Sequence, residues 1–307
     1  MNIVILGAGA LGSVLGGLMA KSELPVTLLD VDDAHIRAIN ENGLILHHDD
    51  EASRLEVPSM RPENYTGQAD LIILLTKTMH TTSALASVEP LIRSGARILT
   101  IQNGLGNADR VAQSVPENCI LEGSTMINGR MLGPGEVATN AASKTTFRAI
   151  SASSDGFARD LGDYLRPVGF VHDPAANVVI WQKAAFNCAM NAIGALGNAR
   201  VGDIARQPDA IALARSASAE VVAVANAKGI SASLDAVHAQ IDKALAEHGP
   251  HKPSMLQDLE AGRATEIESL CGTVEREAKS IGIDAPLNAA LAALIRLRES
   301  AASADWS

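Results

Sequence analysis

Lys183, Asn187 and Asn191 recur every fourth residue within Trp181-Gln-Lys-Ala-Ala-Phe-Asn-Cys-Ala-Met-Asn191, so on a helix they share one face. The residues between them are Ala, Phe, Cys and Met, whose place is the interior. A cation and two amides on so apolar a helix need partners, because burying such a group unpaired costs about 1–3 kcal/mol. A cleft that takes a polar ligand supplies those partners. A lysine in such a cleft can hydrogen-bond an oxygen that gains negative charge and deliver a proton to it. The alternative is a water-facing stripe, but such stripes usually carry Glu, Lys and Gln rather than Asn, a poor helix former.

A second polar group follows. Pro253-Ser254-Met-Leu-Gln257 has the Ser-x-x-Gln form of a capping box, which predicts a helix starting at Ser254. A helix cap and a ligand contact are compatible roles for Ser254, since a hydroxyl both donates and accepts. Continued as a helix, the segment brings Asp258, Gly262 and Glu266 onto one face at i, i+4, i+8. A glycine inside a helix costs about 1 kcal/mol, so Gly262 is expected where another group approaches closely. Asp258 is expected to act as a structural partner.

A third group opens the chain. Gly7-Ala8-Gly9-Ala10-Leu11-Gly12 follows the β-branched run Asn2–Leu6, precedes a helix-compatible stretch to Lys21, and is followed by Asp30, twenty-three residues after Gly7. Gly7 permits a tight turn, Gly9 lets a pyrophosphate approach the backbone, and Gly12 lets the helix pack on the strand. The free N–H groups of the helix start then suit phosphates. A structural strand-to-helix turn without a ligand is the alternative. At the end of the second strand, Asp30 can accept hydrogen bonds from both ribose hydroxyls and would repel a 2′-phosphate, with Asp32 and Asp33 adding to the repulsion. NAD(H) is therefore favoured over NADP(H); the other reading of Asp30 is a simple helix cap. Lys77 and Asn103 stand at two further strand ends, where open α/β sheets bind ligands. A surface lysine at a helix start and an Asn-Gly turn are the structural readings of those two residues.

The elements that must hold these groups are legible in outline. Strands are predicted at Asn2–Leu6, Pro25–Asp30, Leu71–Thr76 and Arg97–Ile101, with helices from residue 10, over Asp33–Asn42 and over Thr81–Ser94. The alternation implies a doubly wound parallel sheet. From Cys119 to His172 short strands with Gly/Pro turns are expected to extend the far edge of that sheet, in part antiparallel. After Asp173-Pro174 the chain turns Ala-rich and helical. The predicted fold is thus an α/β N-terminal domain over 1–174 and an all-α C-terminal domain over 175–307.

Composition narrows the partners. At 307 residues and 47% hydrophobic content the chain can bury two cores. Aromatic residues make up 3% and the net charge is -10 without a basic cluster, which argues against nucleic acid and anionic membranes. Cys119, Cys188 and Cys271 are too few and too scattered for a disulfide framework or a zinc site, so no metal is expected and a reducing, cytoplasmic location fits. The apolar run Ile3–Ala20 lacks a preceding cation and contains five glycines, which favours a strand-turn-helix over a targeting segment. No other stretch is expected to span a bilayer.

Together these segments resemble the ketopantoate reductase family across nearly the whole length. The resemblance rests on Gly7–Gly12, Gln102-Asn103-Gly104, Trp181-Gln-Lys183 with Asn187 and Asn191, and Ser254-Met-Leu-Gln-Asp258 with Thr265-Glu266. It implies a Rossmann domain, a helical domain, and an active site in a cleft between them where NADPH reduces a 2-oxo acid to a 2-hydroxy acid, as in pantothenate synthesis. On that pattern Lys183 matches the catalytic lysine and Glu266 the acid that helps hold the substrate hydroxyl. Asn103, Asn187, Asn191 and Ser254 match substrate or cofactor contacts, and Lys77 a cofactor-side lysine. Two departures stand out: Asp30 where the reductases usually carry a basic residue, and His251-Lys-Pro where members often place an Asn.

The expected partners are NAD(H), with NADP(H) the family norm, and a small 2-oxo or 2-hydroxy acid. A homodimer through the Ala-rich half is compatible with the sequence. Two other readings are a dehydrogenase of a different hydroxy acid and a non-catalytic NAD-sensing protein. Lys183 and Glu266 speak against the sensor, which needs a glycine turn but no proton donor.

Overall fold

The structure, a computed structural model, describes residues 1–49, 51–140 and 144–303. The chain forms two compact units. Met1–Gln102 with Asn107–Asn177 make the first, and Asn103–Gly106 with the chain from Val178 onward make the second.

The first unit contains β1 (Ile3–Leu6), β2 (Val26–Leu29), β3 (Leu44–His48), β4 (Glu51–Leu55), β5 (Ser59–Met60) and β6 (Leu71–Leu74). Further along come β7 (Arg97–Thr100), β8 (Ile120–Thr125), β9 (Arg130–Gly133), β10 (Glu136–Thr139), β11 (Thr145–Ala149) and β12 (Phe170–His172). Its helices are α1 (Ala10–Lys21), α2 (Asp33–Asn42), α3 (Thr81–Ser87), α4 (Glu89–Arg93), α5 (Asn107–Ala112) and α6 (Asp155–Tyr164). Eight strands form one sheet in the order β12-β11-β8-β7-β6-β1-β2-β5. Only the β8–β11 pairing is antiparallel; the other neighbours run parallel.

The two-residue period of the strands sorts their side chains onto two faces. Ile3 and Ile5 join Val14, Leu15 and Leu18 of α1 in one apolar layer. Val4 and Leu6 join Leu85, Val88 and Val111 in the other. Both faces of β1 are therefore dry, as a continuous apolar run requires.

Two sequence expectations for this unit need correction. The turn-rich stretch after Cys119 does not all extend the main sheet: β9 and β10 leave it and build a second sheet in the order β4-β3-β10-β9. The β10–β3 pairing sets Val137 opposite Leu46, and both are buried in the layer that holds α1. Gly17 of α1 allows this, since a Cβ there would lie 3.1 Å from the Leu46 side chain. The helix predicted over Thr81–Ser94 is two helices, α3 and α4, which part at Val88 just before Pro90. Proline lacks the N–H that a continuous helix would bond to the carbonyl four residues back.

Helices build the second unit: α7 (Ala176–Gly197), α8 (Val201–Ala205), α9 (Pro208–Ala227), α10 (Leu234–Glu247), α11 (Ser254–Glu260), α12 (Cys271–Ile281) and α13 (Pro286–Ser303). Its core is made largely of small residues, among them Ala184, Ala185, Ala189, Ala192, Ala214 and Ala217, so the helices approach closely. By length and composition α9 is apolar enough to cross a membrane, contrary to the sequence expectation that no such stretch follows residue 20. It is built as a core helix instead. Val221, Val222 and Val224 face the interior, and the Glu220 carboxylate accepts the backbone N–H groups of Leu287 and Asn288 at 2.9 Å, capping the start of α13. The three cysteines are free thiols.

Candidate active site

In the first unit the glycine turn joins β1 to α1. Gly7 has φ +101°, and a Cβ on it would lie 2.5 Å from the Thr76 backbone nitrogen, so both conformation and space demand glycine. At Gly12 a Cβ would lie 2.1 Å from the Gly7 carbonyl oxygen, which is the close helix–strand contact expected of the third glycine. Gly9 is the N-cap of α1, with no side-chain cap and no acidic residue in the first turn. A Cβ built on Gly9 would meet nothing within 4 Å. An uncapped helix start with open space beside it, free of negative charge, fits a phosphate-bearing ligand. Ala8 is buried, while Ala10 and Leu11 are half-buried in the first turn.

Asp30 stands at the end of β2, half-buried. Its Oδ1 accepts the N–H groups of Val31 and Asp32 at 2.7 and 3.0 Å. Capping of α2 falls to Asp32, whose Oδ1 accepts from Ala34 and His35. The simple helix-cap reading of Asp30 is thereby excluded, and its Oδ2 accepts no hydrogen bond among the described residues. Asp33 takes both its carboxylate oxygens to Arg61, at 2.6 and 2.8 Å, neutralising the cation that follows β5.

Lys77 is half-buried after β6 and its carbonyl accepts the His80 N–H at 2.9 Å. The preceding residue is fixed by a side chain that the sequence reading quoted within a motif but gave no role of its own. Gln102, 7% exposed at the end of β7, donates to the Thr76 carbonyl at 2.7 Å and to Thr81 Oγ1 at 3.0 Å, and accepts from Thr100 Oγ1 at 3.0 Å. One buried amide thus ties the ends of two strands together. Its signal was a long polar residue directly after an apolar strand.

In the second unit α7 carries the expected stripe. Lys183, Asn187 and Asn191 are half-buried, while Ala184, Ala185, Cys188, Ala189 and Met190 between them are buried. Burial lowers the Lys183 ammonium from its ordinary value to about 8, and the negative charge of Glu266 acts to raise it. The amides of Asn187 and Asn191 and the hydroxyl of Ser254 make no side-chain hydrogen bonds among the described residues, so all three are available to a ligand.

Glu266 does not lie on a helix with Asp258, as the spacing suggested. The helix that begins at Ser254 ends at Glu260, Gly262 turns at φ +64°, and Glu266 sits before a single helical turn at Ile267–Ser269. A Cβ on Gly262 would meet nothing within 4 Å, so that glycine serves the turn and marks no close approach. The capping box also fails to form: no side chain caps α11, and Gln257 donates instead to the Lys252 carbonyl at 2.8 Å. Asp258 does act as a structural partner, accepting from Arg263 Nε at 3.1 Å.

The turn that presents Glu266 is held from several sides. Its carbonyl accepts from the Ser269 N–H and Oγ at 3.1 and 3.0 Å. Thr265 Oγ1 accepts the Ile267 N–H at 3.2 Å, and Glu299 accepts the Thr265 N–H at 2.7 Å. The segment Asn103–Gly106 is seated on the same turn, because Leu105 N–H donates to the Ser269 carbonyl at 2.7 Å. Gly104 makes that approach feasible: its φ is +93° and a Cβ would lie 2.4 Å from the Ser269 carbonyl oxygen. Asn103 consequently lines a small recess with Asn191, Ser254, Met255, Asp258, Glu266 and Leu270. Four residues singled out from separate stretches of sequence, Asn103, Asn191, Ser254 and Glu266, therefore meet in one place.

The ketopantoate reductase PanE/ApbA family model matches residues 3–152, and its C-terminal counterpart matches residues 176–299. The 2-dehydropantoate 2-reductase of Streptococcus pyogenes serotype M3 is 31% identical over 303 residues, covering 98% of each chain. Among solved structures, D-mandelate dehydrogenase with NADH and anilino(oxo)acetate superposes with a TM-score of 0.93 at 27% identity, covering 99% of this chain and 100% of the other. The 2-dehydropantoate 2-reductase of Geobacter metallireducens GS-15 superposes with a TM-score of 0.90 at 30% identity over 97% of this chain and 99% of the other. The chain belongs to the ketopantoate reductase family, nicotinamide-dependent oxidoreductases that act on a CH–OH group.

Proposed function

We propose that this protein interconverts a small 2-oxo acid and its 2-hydroxy acid with NAD(H), in the manner of a 2-dehydropantoate 2-reductase, and that Lys183 is its general acid. The observation that carries the reading is the meeting of Asn103, Asn191, Ser254 and Glu266 in one recess, with the Glu266 charge acting on the Lys183 ammonium that burial brings to about 8. Such a lysine is protonated at neutral pH and has a smaller barrier to giving up its proton than an ordinary lysine.

A nicotinamide dinucleotide held by the glycine turn would supply or accept the hydride at the carbon bearing the substrate oxygen. The chain's own residues do the rest. Gly7, Ala8, Gly9, Ala10, Leu11 and Gly12 receive the pyrophosphate at the start of α1, Asp30 accepts from the ribose hydroxyls, and Lys77 lies on the cofactor side. Asn103, Asn187, Asn191 and Ser254 offer amide and hydroxyl hydrogen bonds to the carboxylate and hydroxyl of the acid. Lys183 holds its ammonium to the carbonyl oxygen, stabilises the charge that develops there and transfers a proton to it. Glu266 keeps Lys183 protonated and accepts a hydrogen bond from the product hydroxyl.

The preference for NAD(H) rests on Asp30, whose Oδ2 accepts no hydrogen bond among the described residues, and on Arg61 being held by Asp33. Similarity to a D-mandelate dehydrogenase solved with NADH supports the same preference. That similarity also favours a second substrate, a 2-hydroxy acid other than pantoate. Mixing the protein with NADH and then ketopantoate, with loss of absorbance at 340 nm as the readout, tests the first reading. A parallel set of 2-oxo acids, including phenylglyoxylate, tests the second. NADH binding without turnover on any of them would instead make the protein a sensor.

A further inference from the structure

His35 lies beneath the glycine turn, 2% exposed on α2, and no step of the proposed reaction uses it. Its two ring nitrogens are both engaged. Gly135 N–H, in the β9–β10 turn, meets Nδ1 at 2.9 Å, and Ser13 Oγ of α1 meets Nε2 at 2.9 Å. A backbone N–H can only donate, so Nδ1 is the acceptor and the ring proton sits on Nε2. Ser13 Oγ in turn lies 2.7 Å from the Ala8 carbonyl, to which it can only donate. The directions follow without ambiguity: Gly135 N–H to His35, His35 Nε2–H to Ser13, and Ser13 O–H to the Ala8 carbonyl.

That last bond reaches the peptide between Ala8 and Gly9. A trans peptide points its C=O and N–H in opposite directions. Drawing the Ala8 carbonyl toward Ser13 therefore turns the Gly9 N–H away from Ser13. The Gly9 N–H donates to no group among the described residues, and the space beside Gly9 is open. We infer that His35 is a positioning residue for the dinucleotide phosphates, acting through Ser13 and the Ala8 carbonyl to aim the Gly9 N–H, and that its protonation weakens cofactor binding. The inference rests on the reading that the glycine turn binds a dinucleotide.

Protonated His35 would carry a hydrogen on Nδ1 facing the Gly135 N–H, donor against donor, so the ring must shift and the chain of bonds with it. The charged groups around the ring are few. Asp30 and Asp32 precede α2 and favour the charged ring, but burial outweighs them and holds His35 below its ordinary value near 6.5. The only charged residue of α1 is Lys21, at the helix end remote from Ser13. From the β9–β10 hairpin Glu136 is bonded to His47 at 2.6 Å, and after β5 Arg61 is paired with Asp33.

Fluorescence titration of the full chain with NADH across pH, with thermal unfolding recorded alongside, tests the inference. Wild-type affinity should hold steady above about pH 7 and fall as the pH drops below the ordinary histidine range, as a histidine of lowered basicity charges. Ser13→Ala, which cuts the link to Ala8, should weaken NADH by roughly tenfold at about pH 7.5, the worth of one hydrogen bond, and leave kcat at saturating cofactor within about twofold. His35→Gln keeps a donor toward Ser13 and cannot titrate, so its affinity should be flat across the same range. Wild-type binding that is flat with pH, or a Ser13→Ala variant that loses thermal stability but keeps wild-type NADH affinity, overturns the inference while the cofactor reading stands. Failure of the wild-type protein to bind either NADH or NADPH at about pH 7.5 overturns the cofactor reading and the inference with it.

Discussion

Glu266 opposes at Lys183 what burial does: desolvation takes the ammonium down to about 8, and the carboxylate pulls in the other direction. The two residues come from different kinds of structure, Lys183 from the middle of a 22-residue helix and Glu266 from a short turn fixed by its own backbone bonds. A buried lysine alone would lose its proton too readily to serve as an acid at neutral pH.

If Lys183 delivers the proton, Lys183→Ala should lower turnover by roughly two to four decades, the span general acid catalysis commands. NADH affinity should be unaffected, because the glycine turn belongs to the other unit. Steady-state rates beside a fluorescence titration check both halves of the prediction.

The sign of the pH dependence follows from which form of Lys183 each direction needs. Reduction consumes the protonated lysine, so its rate is full below about 8 and falls as pH rises past that value. Oxidation of the hydroxy acid needs the neutral amine as base, so its rate should rise through the same point. Measuring kcat in both directions across pH should give mirrored limbs crossing near one value.

Cofactor choice should respond to the acidic residues after β2. Asp30→Ser should raise kcat/KM with NADPH relative to NADH by about tenfold or more, the effect of removing one like-charge contact. Adding Asp33→Ala releases Arg61, which Asp33 holds at 2.6 Å, and should raise NADPH use further. Kinetics with both cofactors for the single and double variants provide the check.

Gly104→Ala should damage substrate binding before cofactor binding. Its φ of +93° and the 2.4 Å approach of a Cβ to the Ser269 carbonyl leave no room for a side chain. A residue forced into such backbone costs about 1–3 kcal/mol, and the turn carrying Glu266 must shift to relieve it. The expected result is a lower melting temperature and a raised KM for the 2-oxo acid with NADH affinity retained.

What could be foreseen from sequence was what depends on local pattern. The β-branched runs at Ile3–Leu6 and Leu71–Leu74, the glycine turn and the Lys183-Asn187-Asn191 stripe each declare themselves within a dozen residues. Features set by distant partners did not. The β10–β3 pairing joins segments some ninety residues apart, so nothing near Gly133-Pro-Gly135 announced a second sheet. The four-residue spacing of Asp258, Gly262 and Glu266 imitated a helix face, yet Gly262 in left-handed backbone ends the helical course before Glu266 is reached. Asn103 was foreseen at a strand end, but that Asn103–Gly106 packs with the helical unit depends on the Ser269 carbonyl, 164 residues beyond Leu105, receiving the Leu105 N–H.

The most direct test of the proton-delivery account is the pH profile of 2-oxo acid reduction by Glu266→Gln beside the wild-type protein. Removing the carboxylate removes what raises Lys183, so the fall in kcat should begin at a lower pH than the wild-type midpoint near 8. A profile that stays in place, or that shifts to higher pH, would contradict the account.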